Sequence, residues 1–167
     1  MSTAEQILSA LRAANKKLVI AESLTGGLLT AEFAKVAGAS DVLLTGIVAY
    51  DTSLKHELLG VSRQLLENQG AVDPEVAAQM AEGIRVKMAL KMGLELSELV
   101  AISTTGVAGP TEQDGKPVGE LYICVSQGPE DQVSSNVFAH QLGGDRQNIQ
   151  KTAVLLGLDH LWEEIAQ

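Results

Sequence analysis

Two short runs, residues 17–21 (KLVIA) and 99–103 (LVAIS), constrain this chain more than any other feature. Each is apolar at nearly every position and bounded too closely for a buried helix. That is the pattern of a strand covered on both faces, which requires helices packed on each side of a sheet. Helical patterns fill the intervals. Thr3 and Gln6 have capping-box spacing ahead of Ile7, Leu8, Leu11 and Ala14. Residues 27–37 read as a helix ended by Gly38, and residues 53–59 as a short one ended by Gly60. Another starts at Ser62, where Val61 and Leu66 stand at hydrophobic-staple spacing. Asp73, Pro74 and Glu75 supply a cap, a first-position proline and a first-turn acid for a helix to about residue 92. Residues 42–50 (VLLTGIVAY) read as a strand with a break point at Gly46. Residues 104–117 are rich in Gly, Pro and polar side chains and are expected to be a loop. Residues 118–127 and 132–141 flank Gly128-Pro129-Glu130-Asp131 as a hairpin, and residues 144–166 form a long amphipathic helix. The pattern predicts a single domain over residues 1–167, of α/β class, with one mixed sheet and helices on both faces.

Composition narrows the function. Hydrophobic residues make up 46% of the 167 positions but aromatics only 3%, so the core is aliphatic. A net charge of -9 argues against nucleic-acid binding, which draws on clustered Lys and Arg, and the few aromatics offer no stacking platform. No apolar run approaches the roughly 18–20 residues of a membrane span. The first residues lack the basic start and apolar block of a signal peptide, so a cytoplasmic protein is expected. The lone Cys124 is read as a small apolar filler, and no Cys/His cluster has zinc spacing.

Four segments could carry chemistry. Glu22-Ser23-Leu24-Thr25-Gly26-Gly27 stands where a buried strand passes into a helix, the place where open α/β sheets bind ligands. Ser23 would present a hydroxyl there, and the amides near Thr25, Gly26 and Gly27 would face an anion or oxyanion. It is neither a Walker loop nor a GxSxG elbow. Tyr50 ends the next strand and Lys55 lies in the first turn of the following helix. If the two strands are neighbours, Ser23, Tyr50 and Lys55 meet above one sheet edge, where a desolvated lysine can serve a serine as base. The turn Thr104-Thr105-Gly106-Val107-Ala108-Gly109-Pro110 offers backbone donors and hydroxyls to a phosphate or ribose. Arg146, opening the last helix, could hold a phosphate or pair with Asp145. His56, His140 and His160 read as surface or half-buried residues. Glu22 either orients a neighbour or accepts backbone donors.

Together these segments resemble one family. Residues 21–27 (AESLTGG), 46–50 (GIVAY) with Lys55, 70–72 (GAV), 105–110 (TGVAGP), 116–119 (KPVG) and 144–146 (GDR) follow the order of the CinA carboxy-terminal domain, also found alone as nicotinamide-nucleotide amidase. The resemblance implies a three-layer α/β/α sandwich. It implies hydrolysis of nicotinamide mononucleotide to nicotinate mononucleotide and ammonia, with no metal and no cofactor, in a homodimer. By motif position it implies a Ser23–Lys55 dyad assisted by Tyr50, with Thr25, Gly26, Gly27, Thr105, Gly106, Ala108, Gly109 and Arg146 binding a small nucleotide. Lys55 would take the Ser23 proton, amides near Thr25 and Gly27 would hold the oxyanion, and Lys55 or Tyr50 would protonate the departing ammonia. The chain departs from the pattern at Leu24 (usually Cys), Asp73 (usually Ser), Glu112-Gln113 (commonly Gly-Gly) and Gln150 (usually a second Arg). The same glycine turns could instead hold a nucleotide without converting it, as a binding or competence/damage-response interaction module.

Overall fold

A computed structural model describes residues 3–166. In chain order the elements are α1 (Ala4–Ala13), β1 (Lys17–Glu22), α2 (Leu28–Ala34), β2 (Leu43–Val48), α3 (Thr52–Leu59), α4 (Arg63–Gln69) and α5 (Pro74–Met92). Then come β3 (Leu99–Gly106), β4 (Glu120–Gln127), β5 (Ser134–Gln141) and α6 (Arg146–Ile165). One mixed sheet runs β2-β1-β3-β4-β5, with β1 parallel to both β2 and β3, and β4 and β5 antiparallel.

Alternation along the strands builds two cores. Leu18 and Ile20 of β1, Val100 and Ile102 of β3, and Leu121, Ile123 and Val125 of β4 pack against α1, α2 and α6. Val19 and Ala21, Leu99 and Ala101, and Cys124 face the other way, against α3 and α5. Both faces of the sheet are therefore covered, and the three-layer α/β/α expectation holds. Cys124 is the expected filler, and burial pushes its thiol pKa up to about 12.

The capping signals at Thr3 and Asp73 act as read: Gln6 and Thr3 close a reciprocal box at α1, and Asp73, just before Pro74, accepts the Glu75 N–H. A cap not read from the sequence is Asp51, which accepts the Ser53 N–H and starts α3 at Thr52. Two readings change. Strand β2 continues through Gly46, which is small because Thr30 of α2 lies on it: a Cβ there would stand 2.0 Å from Thr30 Oγ1. Strand β3 extends to Gly106, so Thr104 and Thr105 belong to the sheet and pair with β4 rather than to a loop. Among the described residues no helix is long and apolar enough to cross a membrane.

The strand order positions the site. From β1 the chain crosses through α2 to β2 on one side; after β2 it crosses through α3–α5 to β3 on the other. The segments leaving β1 and β2 go to opposite faces, α2 on one and α3–α5 on the other, and a crevice opens at the carboxyl ends of the strands.

Candidate functional site

Ser23 is the first residue past β1 and is 9% exposed. Asp51 starts α3 by capping it, which turns Lys55 inward, and the Lys55 side chain is fully buried. Its Nζ donates to Ser23 Oγ at 3.1 Å and to the Ala49 carbonyl at 2.7 Å. Among the described residues no carboxylate bonds to it. Desolvation pulls its pKa well down, to about 8, against the weaker opposing pull of Asp51 and Asp114. A serine hydroxyl on a lysine that loses its proton this readily is the pairing a nucleophile and its base require. Sequence reading placed these two residues together, and the parallel pairing of β1 with β2 brings them there.

The start of α2 does not match expectation. Glu22 is fully buried and folds its carboxylate over the helix end. Its Oε2 accepts the N–H groups of Gly27 (3.0 Å) and Leu29 (3.1 Å), and its Oε1 accepts the Thr30 N–H (2.8 Å) and Thr30 hydroxyl (2.5 Å). Gly26 N–H donates to the Ser23 carbonyl and Leu28 N–H to that of Thr25. The amides of Gly26 and Gly27 are thus spent inside the protein, and an internal carboxylate already holds the helix terminus. What stays open lies one step earlier: the N–H of Leu24, which lines the cavity, has no acceptor among the described residues, and neither has that of Thr25, which is fully buried. Glu22, left between two roles by sequence, is the cap of α2.

A cavity of about 290 Å³ opens over Ser23, lined by Leu24, Tyr50, residues 106–109, residues 111–113 and Arg146. Arg146 spans it. Its Nη1 donates to the Gly109 carbonyl at 2.7 Å and its Nη2 to the Tyr50 hydroxyl, so its partners are not Asp145. Tyr50 reaches the cavity, 55% exposed, but its hydroxyl bonds to Arg146 and not to Ser23 or Lys55. Gly106, Ala108 and Gly109 line the wall as expected. Two side chains do not. Thr25 is buried with its hydroxyl 2.8 Å from that of Thr104, and Thr105 donates to the Ala71 carbonyl at 2.6 Å. Both threonines tie the loop after β1 and the end of β3 to the fold, because they point into the layers and away from the crevice.

Several residues escaped sequence reading. The Ala49 carbonyl holds Lys55, which no residue type could signal. Asp114 accepts the Ala71 N–H at 3.3 Å and raises the Lys55 pKa from a distance. Its signal was present: Asp114-Gly115 is a hairpin-turn dipeptide, and both residues have positive φ between the paired Gln113 and Lys116. Gln150 Nε2 donates to the Leu24 carbonyl at 2.8 Å. Away from the crevice, His140 and His160 meet Nε2 to Nε2 at 2.8 Å, which their separate positions did not suggest. Among the described residues no group of three or more His, Cys, Asp or Glu could hold a metal ion.

Fold and crevice thus define an α/β domain with a buried serine–lysine contact at the carboxyl ends of the neighbouring strands β1 and β2. The chain belongs to the CinA C-terminal domain family, which matches residues 1–165. A CinA-like protein of Frankia casuarinae is 44% identical over 142 residues, covering 85% of this chain and 30% of the relative. A CinA-like protein of Nostoc punctiforme is 42% identical over 134 residues, covering 80% of this chain and again 30% of the relative. The chain therefore spans about a third of the length of these curated relatives. Among solved structures, the competence/damage inducible protein CihA of Agrobacterium tumefaciens superposes with a TM-score of 0.83 at 28% identity, covering 98% of this chain and 93% of that one. A competence-damaged protein (CinA) superfamily protein of Klebsiella pneumoniae gives 0.81 at 27% identity, covering 98% and 95%.

Proposed function

We propose that the domain is an amidohydrolase acting through Ser23 and Lys55, with the carboxamide of nicotinamide mononucleotide as substrate. The observation that carries this reading is the 3.1 Å contact from Lys55 Nζ to Ser23 Oγ at the base of the cavity. Neutral Lys55 takes the Ser23 proton as Oγ bonds to the carboxamide carbon. The oxygen that gains charge is met by the open N–H of cavity-lining Leu24, in place of the Gly26 and Gly27 amides that Ser23 and Glu22 occupy. The C–N bond then breaks, the proton passes from Lys55 to the departing nitrogen, and ammonia leaves a nicotinoyl ester. Water adds to the ester carbon, Lys55 takes its proton, and Ser23 is released with nicotinate mononucleotide. The pyridinium ring withdraws electrons and makes the carbonyl a better electrophile. Arg146, bridging Tyr50 and Gly109, offers its remaining N–H groups to the phosphate.

Ammonia release from nicotinamide mononucleotide tests the reading. Ser23→Ala is expected to lower kcat by about 10³-fold or more with an unchanged thermal transition. Wild-type turnover in Ser23→Ala would remove the nucleophile. Calorimetric binding without ammonia release would move the function to a nucleotide-binding module. We also propose a homodimer, for which exposed Val86, Leu90 and Met92 of α5 offer apolar surface; light scattering measures the mass directly.

A further inference from the structure

Among the residues that line the cavity over Ser23, Arg146 and Glu112 carry full charges of opposite sign. Arg146 has a part in the proposed reaction and Glu112 has none. Glu112 is also one of the positions at which the chain departs from its family's pattern.

The loop that carries Glu112 is fastened on both sides. Three residues before it, the Gly109 carbonyl accepts Arg146 Nη1 at 2.7 Å. Just after it, Gln113 and Lys116 exchange backbone hydrogen bonds at 3.1 and 2.8 Å, and Asp114 Oδ2 accepts the Ala71 N–H at 3.3 Å. The backbone thus holds Glu112 at the cavity wall, yet nothing in the protein neutralises its side chain. It is exposed and makes no hydrogen bond or ion pair among the described residues. The cation nearest in sequence, Lys116, pairs with Glu120 at 3.7 Å, and Arg146 is turned to Gly109 and Tyr50.

An unpaired carboxylate repels a phosphate, so a ligand with only negative charge is disfavoured in this cavity. A ligand with both signs meets a partner for each. Nicotinamide mononucleotide has that make-up: the cationic ring bears the carboxamide, and the phosphate lies a ribose further on. With the carboxamide at Ser23, its two charges reach different parts of one wall.

We propose that Glu112 is a specificity residue, whose carboxylate takes the positive ring while Arg146 takes the phosphate, so that the cavity selects a zwitterionic N-ribosyl pyridinium over a nucleotide with a neutral ring. This deepens the proposed function and rests on its substrate. Selection and reactivity then coincide, because the ring charge that Glu112 recognises is the one that makes the carbonyl electrophilic.

Calorimetry tests this on full-length protein carrying Ser23→Ala, so that no ligand is consumed. The probes are nicotinamide mononucleotide and its 1,4-dihydro form, which keeps the ribose and phosphate but has a neutral ring. Reduction also alters ring shape, so the double difference between two ligands and two proteins isolates the charge. An exposed ion pair changes affinity by up to about fivefold. Glu112→Gln should therefore weaken the oxidised ligand roughly fivefold relative to the reduced one. Glu112→Asp keeps the charge and should shift that ratio less. An oxidised-to-reduced ratio that is the same with Glu112 and with Glu112→Gln overturns the proposal. So does tighter binding of both ligands by one factor in Glu112→Gln, since the carboxylate then acts on the phosphate alone. Binding of neither ligand overturns the proposal and the substrate reading together. A Glu112-dependent ratio in a protein whose Ser23 form releases no ammonia removes the amidase reading and supports Glu112.

Discussion

The domain buries two cations at opposite ends of its sheet, and they behave differently. Lys55 lies at the carboxyl ends of β1 and β2, and Arg85 of α5 lies near the amino end of β3, where Ala101 pairs with Ser126. Both are essentially inaccessible to solvent, and neither bonds to a carboxylate among the described residues. Arg85 is wrapped: it donates to Ser126 Oγ, to the Leu96 carbonyl and to the Gly128 carbonyl, with only Nε unpartnered. Desolvation lowers its pKa as well, but guanidinium starts so high that it keeps its proton and acts as a fixed crosslink. Lys55 has two acceptors and a pKa near 8. Burial of a cation becomes chemistry only where the group can give up its proton and an acidic hydrogen stands next to it. At the Arg85 end the same burial yields only architecture.

The largest expected effect is at Lys55. Lys55→Met should lower kcat for amide hydrolysis by about 10³-fold or more, since no other base touches Ser23. In wild type, kcat/KM should rise with pH and level off above an apparent pKa of about 8, as Lys55 becomes neutral. The stability sign follows from the same shift. The folded pKa is near 8 and the unfolded one near 10.5, so between those values the unfolded chain binds more protons. The cost of burying the ammonium is full below about pH 8 and fades as pH rises towards 10.5. Wild type should therefore gain stability relative to Lys55→Met across that window in urea melts. Parallel pH profiles would show that Lys55 is not desolvated.

Arg85→Met is the opposite experiment. It should cost about 2–4 kcal/mol in denaturant melts, because a hydroxyl and two carbonyls lose their donor, while kcat of the folded protein stays unchanged. A loss of kcat without loss of stability would erase the contrast between the two ends. The smallest effect is at Asp114, whose charge raises the Lys55 pKa from the loop above it. Asp114→Asn removes a charge that favours the ammonium, so the apparent pKa of kcat/KM should move down from about 8. An upward or absent shift would show that Asp114 only fastens its loop to Ala71.

Much of the fold was legible because its signals are local. Caps at Thr3, Ser62 and Asp73 bond within three residues, and a positive-φ glycine ends α3 at Gly60. The errors have one cause. Thr104–Gly106 were read as loop because glycines and a proline follow closely, although threonine itself favours strands, and pairing with β4 brings them into the sheet. The amides before α2 were read as open because the groups that fill two of them, the Glu22 carboxylate at Gly27 and the Ser23 carbonyl at Gly26, precede the turn and had no evident target. Arg146 was weighed against its neighbour Asp145, whereas its partners come from other loops.

The sequence by itself determined the alternation of buried strands and capped helices, and the presence of Ser23, Tyr50 and Lys55 at strand ends. Those rest on periodicity and on interactions a few residues long. Only the tertiary structure decided which amides beside Ser23 remain open, that Tyr50 faces Arg146, and that Gln150 holds Leu24. Each depends on which polar groups meet across the crevice, and a buried donor is spent or open according to partners that the packed layers bring in from distant parts of the chain.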